Sequence, residues 1–127
     1  MMMNRGIPMD ECIFCKLIAN TELCTKIYED AHTFAFLDTA NDVENHILAV
    51  PKVHCESIFD CDEETLAHLM ASVKKLSAYL VKNCGYSGVN LLHASGKSAG
   101  QSVGHFHIHV IPRREGDGIN AWPDFHS

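Results

Sequence analysis

The sequence lacks the long apolar runs and basic stretches that membrane proteins and nucleic-acid-binding proteins use. Its 127 residues contain no run that approaches the ~20 apolar residues needed to span a bilayer. Ten Lys and Arg against sixteen Asp and Glu give a formal net charge of −6, and no segment is strongly basic. These absences predict that the protein neither spans a membrane nor binds the phosphate backbone of a nucleic acid.

Internal repeats, low-complexity segments and Pro/Gly/Ser-rich linkers are also absent, and the length suits about one domain. We therefore predict a single domain over residues 1–127, in which 1–9 form a loose leader. Arg5 lies in this leader, but the apolar segment of a secretory signal does not follow it. The expected location is the cytoplasm, where a reducing environment keeps cysteines as thiols or metal ligands rather than disulfides. Four of the six cysteines have no ligand-like spacing and are predicted to act as small hydrophobic residues: Cys24, Cys55, Cys61 and Cys84.

The hydrophobic pattern predicts an α+β class. One long helix is expected over 62–83, with Asp60 able to cap it and Gly85 as its left-handed end. The apolar face of this helix carries Leu66, Leu69, Met70, Val73, Leu76 and Leu80. A short apolar turn or helix is expected over 12–19, and strands over 26–29, 33–37, 45–50, 89–93 and 104–113. Strands on both sides of a single long helix predict a mainly antiparallel sheet of about five strands.

The most informative pattern lies in residues 104–113, where three histidines alternate with apolar residues. The histidines are His105, His107 and His109, and the apolar residues are Phe106, Ile108 and Val110. Because side chains of a strand alternate between its faces, the histidines are predicted to share one face at a spacing of about 7 Å. Three imidazoles so placed could bind one small anion or one metal ion. The preceding loop, 95–102, is rich in Gly and Ser and could direct backbone N–H groups at phosphate oxygens.

This segment resembles the signature of the histidine triad (HIT) family, His-x-His-x-His followed by apolar residues. The resemblance extends along most of the chain, because 12–18, 36–38, 46–54 and 100–103 match other landmarks of the family in order. It implies a HIT-like fold and a nucleotide hydrolase or transferase that works through a covalent nucleotidyl-histidine. Family members of this size are typically homodimers, and Trp122 of one chain would lie near the nucleotide pocket of the other.

The resemblance also implies which residues carry out the chemistry. His107, the middle histidine, would be the nucleophile, His109 would contact the phosphate, and His105 would support the cluster. His46 matches a histidine behind the triad. Ser102 could pass a proton to the leaving group. Neutral imidazole is a good nucleophile near pH 7, so this assignment agrees with the elementary chemistry.

Further positions match the nucleotide-binding residues of the family. Asp38 matches a carboxylate that holds the ribose hydroxyls. The loop on the phosphate side is matched by Gln101, Ser102 and Val103, which would act together with His107 and His109. One departure stands out, because Ala94 occupies a position where Hint-like members usually carry Asn. Ser95, Asn90 or His93 could take over its function.

A second pattern indicates a metal site. Cys12 and Cys15 form a Cys-x-x-Cys pair, and His54 and His105 could complete a tetrahedral Cys₂His₂ zinc site. Some bacterial-type HIT proteins carry zinc at matching positions. Such a zinc would be structural, because protein atoms fill all four positions. The alternative is that both cysteines are thiols packed in the core.

The leading interpretation is a hydrolase that acts on a purine nucleotide. It would attack the α-phosphorus of a nucleoside phosphoramidate, a nucleotidyl adduct or a dinucleoside polyphosphate. The alternative is a non-catalytic metal- or nucleotide-binding signalling module, with the three histidines as a metal site. A two-fold homodimer is also expected, because Leu69, Leu76 and Tyr79 broaden the apolar stripe of the helix and the strand near 89–93 would be a sheet edge.

Overall fold

A computed structural model of the chain describes residues 11–39 and 43–121. Within them, five strands form one antiparallel sheet with the order β1-β2-β3-β5-β4. The strands are β1 (Lys26–Glu29), β2 (Thr33–Leu37), β3 (Ile47–Pro51), β4 (Gly88–Leu92) and β5 (Ile108–Arg113), and the helices are α1 (Ile13–Ile18) and α2 (Glu63–Asn83). The predicted α+β class and five-stranded sheet are confirmed. The predicted leader 1–9 and the position of Trp122 lie outside the described residues.

The two helices pack on opposite faces of the sheet, because alternate strand residues belong to different cores. One core joins α2 to strand residues such as Ala49 and Val110. The other joins α1 to residues such as Phe36 and Leu48. Neither helix in the described ranges is long and apolar enough to cross a membrane.

The start of α2 differs from the prediction. Asp62 is the N-cap, because its carboxylate accepts a hydrogen bond from the Thr65 N–H at 2.8 Å. The prediction of Asp60 as the cap is wrong. The Asp60 carboxylate instead accepts the N–H of Ser57 at 2.7 Å and closes the turn before the helix. At the other end Gly85 has a φ of +81°, as the predicted left-handed cap requires.

The buried face of α2 is narrower and shifted from the predicted one. Its buried residues are Leu69, Ser72, Val73, Leu76 and Leu80. Met70 is 45% exposed, because it lies 100° around the helix from Leu69. Leu69 and Leu76 therefore serve the core of this chain, and their predicted place in a dimer surface is wrong.

Asp30 ties the turn between β1 and β2 to α2. Its carboxylate accepts hydrogen bonds from the N–H groups of His32 and Thr33, both at 2.8 Å. The hydroxyl groups of Tyr28 and Ser72 donate to its other oxygen, both at 2.7 Å. These donors hold the pKa of Asp30 well below its ordinary value, although partial burial opposes them.

The last strand is shorter than predicted. It begins at Ile108, whereas the alternating pattern predicts a strand from 104. The preceding residues leave the ladder, because the Phe106 N–H donates to the Cys55 carbonyl at 2.8 Å instead of to a strand. Phe106, Ile108 and Val110 nevertheless all pack in the α2 core, as predicted.

The cysteines without ligand-like spacing differ from their predicted role. Cys55 and Cys61 are joined in a disulfide, so their prediction as separate thiols is wrong. The chain turns back between them and brings their Cα atoms to 5.2 Å, a separation typical of disulfides. Cys24 and Cys84 are exposed and therefore are not small core residues.

Candidate functional site

A cavity of about 440 Å³ lies on the α1 side of the sheet. Apolar side chains from α1 and the strands form much of its wall: Phe14, Leu17, Phe36 and Leu48. Its polar residues include Asp38, Ser102, His107 and His109. The apolar wall was not identified from the sequence, although Phe36 and Leu48 lie in strands whose alternation could have located it. A mainly apolar cavity with a few convergent polar groups is typical of a small-molecule site.

His107 has one ring nitrogen fixed by the backbone. Its Nδ1 lies 2.8 Å from the carbonyl oxygen of His105. A carbonyl oxygen can only accept, so Nδ1 carries the proton and Nε2 of the neutral ring holds a lone pair. Burial lowers the pKa of His107 below the ordinary 6.5, and the bond to the His105 carbonyl opposes this only in part. The ring is therefore neutral at pH 7 and chemically able to act as a nucleophile.

His109 begins a chain of polar groups that leads through His46 to Asp38. Its Nδ1 lies 2.9 Å from Nε2 of the buried His46. The other His46 nitrogen, Nδ1, lies 3.5 Å from a carboxylate oxygen of Asp38. These three residues also form one of two groups of side chains that could hold a metal ion. The arrangement places a carboxylate at one end and a cavity-lining imidazole at the other.

The loop before the triad is shaped by its own hydrogen bonds. Gly96 and Gly100 both have a φ of +93°, a conformation that favours glycine, and they flank a short 3₁₀ turn. The Gln101 amide donates to the carbonyls of Glu56 and Val103 and accepts the Gly96 N–H. Gln101 thus organises the loop and does not line the cavity, so its predicted contact with a nucleotide stays a prediction.

The predicted phosphate-side residues Ser102 and Val103 both line the cavity. Val103 also packs against the α1 core. Within residues 11–39 and 43–121, neither of their N–H groups takes part in the hydrogen bonds that shape the loop. They are therefore placed where they can contact a ligand beside His107.

The predicted Cys₂His₂ residues lie together at the start of α1. The Cys15 thiol is 3.1 Å from Nδ1 of His54 and 3.6 Å from Nδ1 of His105, and the Cys12 thiol is 3.4 Å from the same His105 atom. All four candidate ligand atoms lie within 4.8 Å of one another. Tetrahedral zinc with bonds of about 2.0–2.3 Å places its ligands about 3.5 Å apart, so the donor set and spacing fit this metal.

The tautomer of His105 also suits a metal ligand. Its Nε2 lies 2.9 Å from the Pro51 carbonyl, so Nε2 carries the proton and Nδ1 presents a lone pair to the thiols. Burial lowers the pKa of His105 to about 4, which keeps the ring neutral. Burial and the adjacent Cys12 thiol raise the pKa of Cys15 to about 12, so the Cys15 thiol needs a nearby cation to ionise at pH 7.

The three histidines of the triad therefore do not meet at a common point. His107 and His109 line the cavity, with ring centroids 5.2 Å apart, whereas the His105 ring belongs to the thiol cluster. Among the described residues, no candidate metal group contains all three histidines, so the structure does not support a metal ion held by the whole triad. Binding of one small anion by the three imidazoles stays a prediction.

Comparison with known proteins agrees with this geometry. The HIT domain family model matches residues 20–116. Protein hit of Bacillus subtilis is 39% identical over 113 residues, which are 88% of this chain and 78% of that protein. An adenosine 5'-monophosphoramidase of Schizosaccharomyces pombe is 35% identical over 116 residues, with 90% of this chain and 84% of that protein covered.

Solved structures share both fold and sequence with this chain. A HIT family protein from Bacillus anthracis matches with a TM-score of 0.80 and 43% identity, covering 91% of this chain and 84% of that one. A Zn-bound histidine triad family protein from Mycobacterium smegmatis matches with a TM-score of 0.83 and 31% identity, covering 94% and 86%.

The hydrogen bonds predict opposite tautomers for two neighbouring histidines. Long-range ¹⁵N–¹H spectra at pH 7 should show His107 protonated on Nδ1 and His105 protonated on Nε2. At pH 5 His105 should still be neutral, because burial lowers its pKa to about 4. An ordinary histidine with a pKa of about 6.5 would be mostly charged there. The same tautomer at both positions, or a protonated His105 at pH 5, would contradict the structure.

Proposed function

Since this chain belongs to the histidine triad family, we propose that it hydrolyses purine nucleotides at the α-phosphorus through a covalent nucleotidyl-His107. The observation that carries this proposal is the fixed Nδ1–H of His107, which leaves Nε2 as a lone pair on a residue of the cavity wall. Relatives named as adenosine 5'-monophosphoramidases support nucleotide hydrolase activity in general. The substrate class we propose is a nucleoside 5'-phosphoramidate or a related nucleotidyl compound.

The reaction would proceed in two displacements at phosphorus. In the first, the Nε2 lone pair of His107 forms a bond to phosphorus and the bond to the leaving nitrogen breaks. The leaving amine takes a proton that the Ser102 hydroxyl relays from solvent. In the second, a water oxygen attacks phosphorus, the bond to Nε2 breaks and returns its electron pair to the ring, and the water proton passes to solvent. Throughout both steps the His105 carbonyl accepts the Nδ1–H of His107 and stabilises the positive charge of the adduct.

The cavity supplies separate surfaces for the parts of a nucleotide. Phe14 and Phe36, whose ring centroids are 5.4 Å apart, form an apolar wall suited to a purine base. Asp38 provides a carboxylate that can accept hydrogen bonds from ribose hydroxyls. Ser102 and His109 would contact the phosphate. We propose these contacts from the shared cavity and from the family.

The polar contacts from Asp38 through His46 to His109 suit a positively charged His109. If His46 donates from Nδ1 to Asp38, its Nε2 accepts the Nδ1–H of His109. His109 could then carry a second proton on Nε2 and donate it to a phosphate oxygen. The Asp38 carboxylate stabilises that positive charge through His46, an arrangement that favours the negative transition state.

We also propose that Cys12, Cys15, His54 and His105 hold a structural zinc. Protein atoms supply four ligands, so the metal has no open position for substrate. A bound zinc would fix the start of α1 to the segment that carries the nucleophile. The Zn-bound relative supports this assignment.

A homodimer in the cytoplasm completes the proposal. Ser72 contacts Asp30, so the flank of α2 that carries Ser72 faces β1. Met70 and Val81 lie about 160–180° around the helix from Ser72, and therefore on the flank toward β4. Leu91 lies in β4, which is an edge of the sheet, as predicted. These three apolar residues are 41–45% exposed, and an isologous contact would bury them together with the open strand edge.

Replacing the nucleophile should abolish turnover. We expect His107→Ala to lower kcat for adenosine 5'-phosphoramidate about 1000-fold or more, because no other group supplies the covalent bond. Acid-quenched wild-type protein should carry one adenylyl group on His107 by mass spectrometry. His68→Ala, on the outer part of α2, is the matched control and should remain active. An active His107→Ala protein, or an adduct on another histidine, would refute the mechanism.

The thiol cluster should contain metal. Protein purified without chelators should hold one zinc per chain by elemental analysis, and a Cys12→Ser, Cys15→Ser variant should lose it. The unfolding midpoint should fall by about 5 °C or more, because metal-binding free energy at such a site contributes to folding. Cys84→Ser removes an exposed thiol and should change neither quantity. Fully folded wild-type protein with no zinc would exclude the site.

Substitutions can test the proposed dimer surface separately from the opposite flank of α2. Light scattering at micromolar concentration should give twice the chain mass for the wild type. A Val81→Lys, Leu91→Lys variant should be monomeric, because two buried charges would oppose association. Tyr79→Lys is the matched control, since Tyr79 is 58% exposed on the opposite flank of α2. A monomeric wild type, or dissociation by the control alone, would contradict the assignment.

A further inference from the structure

His93 occupies a position that the mechanism described above does not use. It follows directly after β4, and its ring stacks on Phe106 with centroids 4.2 Å apart and an interplanar angle of 26°. Its Nδ1 lies 2.8 Å from the carbonyl oxygen of His107. The His93 side chain therefore contacts the backbone carbonyl of His107, whereas the His105 carbonyl contacts the His107 ring.

The partners of His93 define the direction of each hydrogen bond. The His107 carbonyl only accepts, so His93 carries its proton on Nδ1. In the neutral ring Nε2 is then an acceptor, and its partner is the Ser95 hydroxyl, which must donate. The Ser95 oxygen in turn accepts the Ile58 N–H at 2.8 Å. All three bonds point the same way, from the Ile58 amide to the carbonyl of His107.

The ring replaces a backbone bond that the sheet does not make. β4 and β5 are antiparallel, and their last pair is Leu92 with His109. If the ladder continued, Ala94 would lie opposite His107 and its N–H would be the natural donor to the His107 carbonyl. The ladder ends at Leu92, two residues before Ala94, and the His93 side chain supplies the missing donor. The peptide of the nucleophile is thereby held although His107 lies outside the strand.

We propose that His93, oriented by Ser95, is a positioning residue for the nucleophile, holding the His107 peptide so that the imidazole keeps its line of attack. The inference rests on the proposed function only for its kinetic consequence. His107 is constrained at two points, since its ring donates to the His105 carbonyl and its own carbonyl accepts from His93. A displacement of about 1 Å at a reacting group can cost about 100-fold in rate, so loss of the second constraint should be visible in kcat.

Two substitutions distinguish the effect of the hydrogen-bond donor of His93 from the effect of its stacked ring. His93→Phe keeps a ring to stack on Phe106 but removes both hydrogen bonds. His93→Asn removes the ring, whereas its amide nitrogen can stand near the former Nδ1 and donate to the His107 carbonyl. With adenosine 5'-phosphoramidate we expect His93→Phe to lower kcat about 30-fold with KM within about threefold, and His93→Asn to recover most of that loss.

Several outcomes would overturn the proposal. Equal kcat values for His93→Phe and the wild type would show that the donor is not needed. Equal losses in His93→Phe and His93→Asn would show that a restored donor does not restore the rate, and would refute the positioning role of the bond. Thermal unfolding of each variant identifies a loss that merely follows unfolding, and Ser95→Ala should give a smaller decrease in kcat than His93→Phe.

A second measurement does not depend on any activity. Long-range ¹⁵N–¹H spectra of the wild type should show His93 as the Nδ1–H tautomer, and Ser95→Ala should keep that tautomer, because the His107 carbonyl still accepts the proton. If the wild type has no hydrolase activity but His93 is fixed as Nδ1–H, the proposed function fails while the positioning bond stands. A His93 that exchanges between both tautomers in the wild type would refute the bond itself.

Discussion

The hydrogen bond from the His107 ring to the His105 carbonyl is the interaction on which the site depends. A carbonyl oxygen cannot donate, so this single contact decides which nitrogen of His107 carries the proton and which has a lone pair. The same rule acts again at His105, where the Pro51 carbonyl fixes the opposite tautomer. Two histidines two residues apart thus acquire different chemistry from the backbone oxygens beside them. A solvent-exposed pair would have no such distinction.

His105 connects the thiol cluster of Cys12 and Cys15 with His107. Its backbone oxygen orients the His107 ring, while its own ring lies among the thiols of Cys12 and Cys15. Any cation held by those thiols would restrain the His105 ring, and through its backbone would restrain the partner of His107. The buried ring has no exposed surface, so it has little freedom to reorient. The thiol cluster can thereby influence the His107 ring without lining the cavity on its own.

The sequence predicts the elements where local signals and tertiary packing agree. The bounds of β1 and β2 match because an Asp-containing turn ends one strand and starts the next. The Cys12 and Cys15 cluster was also predicted, since the spacing of the ligands is itself a local signal. The strand carrying the histidines was predicted too long, because the alternation continues through residues whose N–H groups bond to a loop. The Cys55–Cys61 disulfide and the His93 bond could not be predicted, as both depend on where the chain returns in space.

The location of the cavity follows from the unequal sizes of the two helices. A helix of 21 residues is about 30 Å long and covers its face of a five-stranded sheet, so that side is filled by a continuous core. The helix on the other face has six residues and is about 9 Å long, so it covers only part of the second face. The uncovered part is where Asp38, His107 and His109 line the cavity. One face of the sheet thus supplies the packed core, and the under-covered face leaves the cavity that His107 and His109 line.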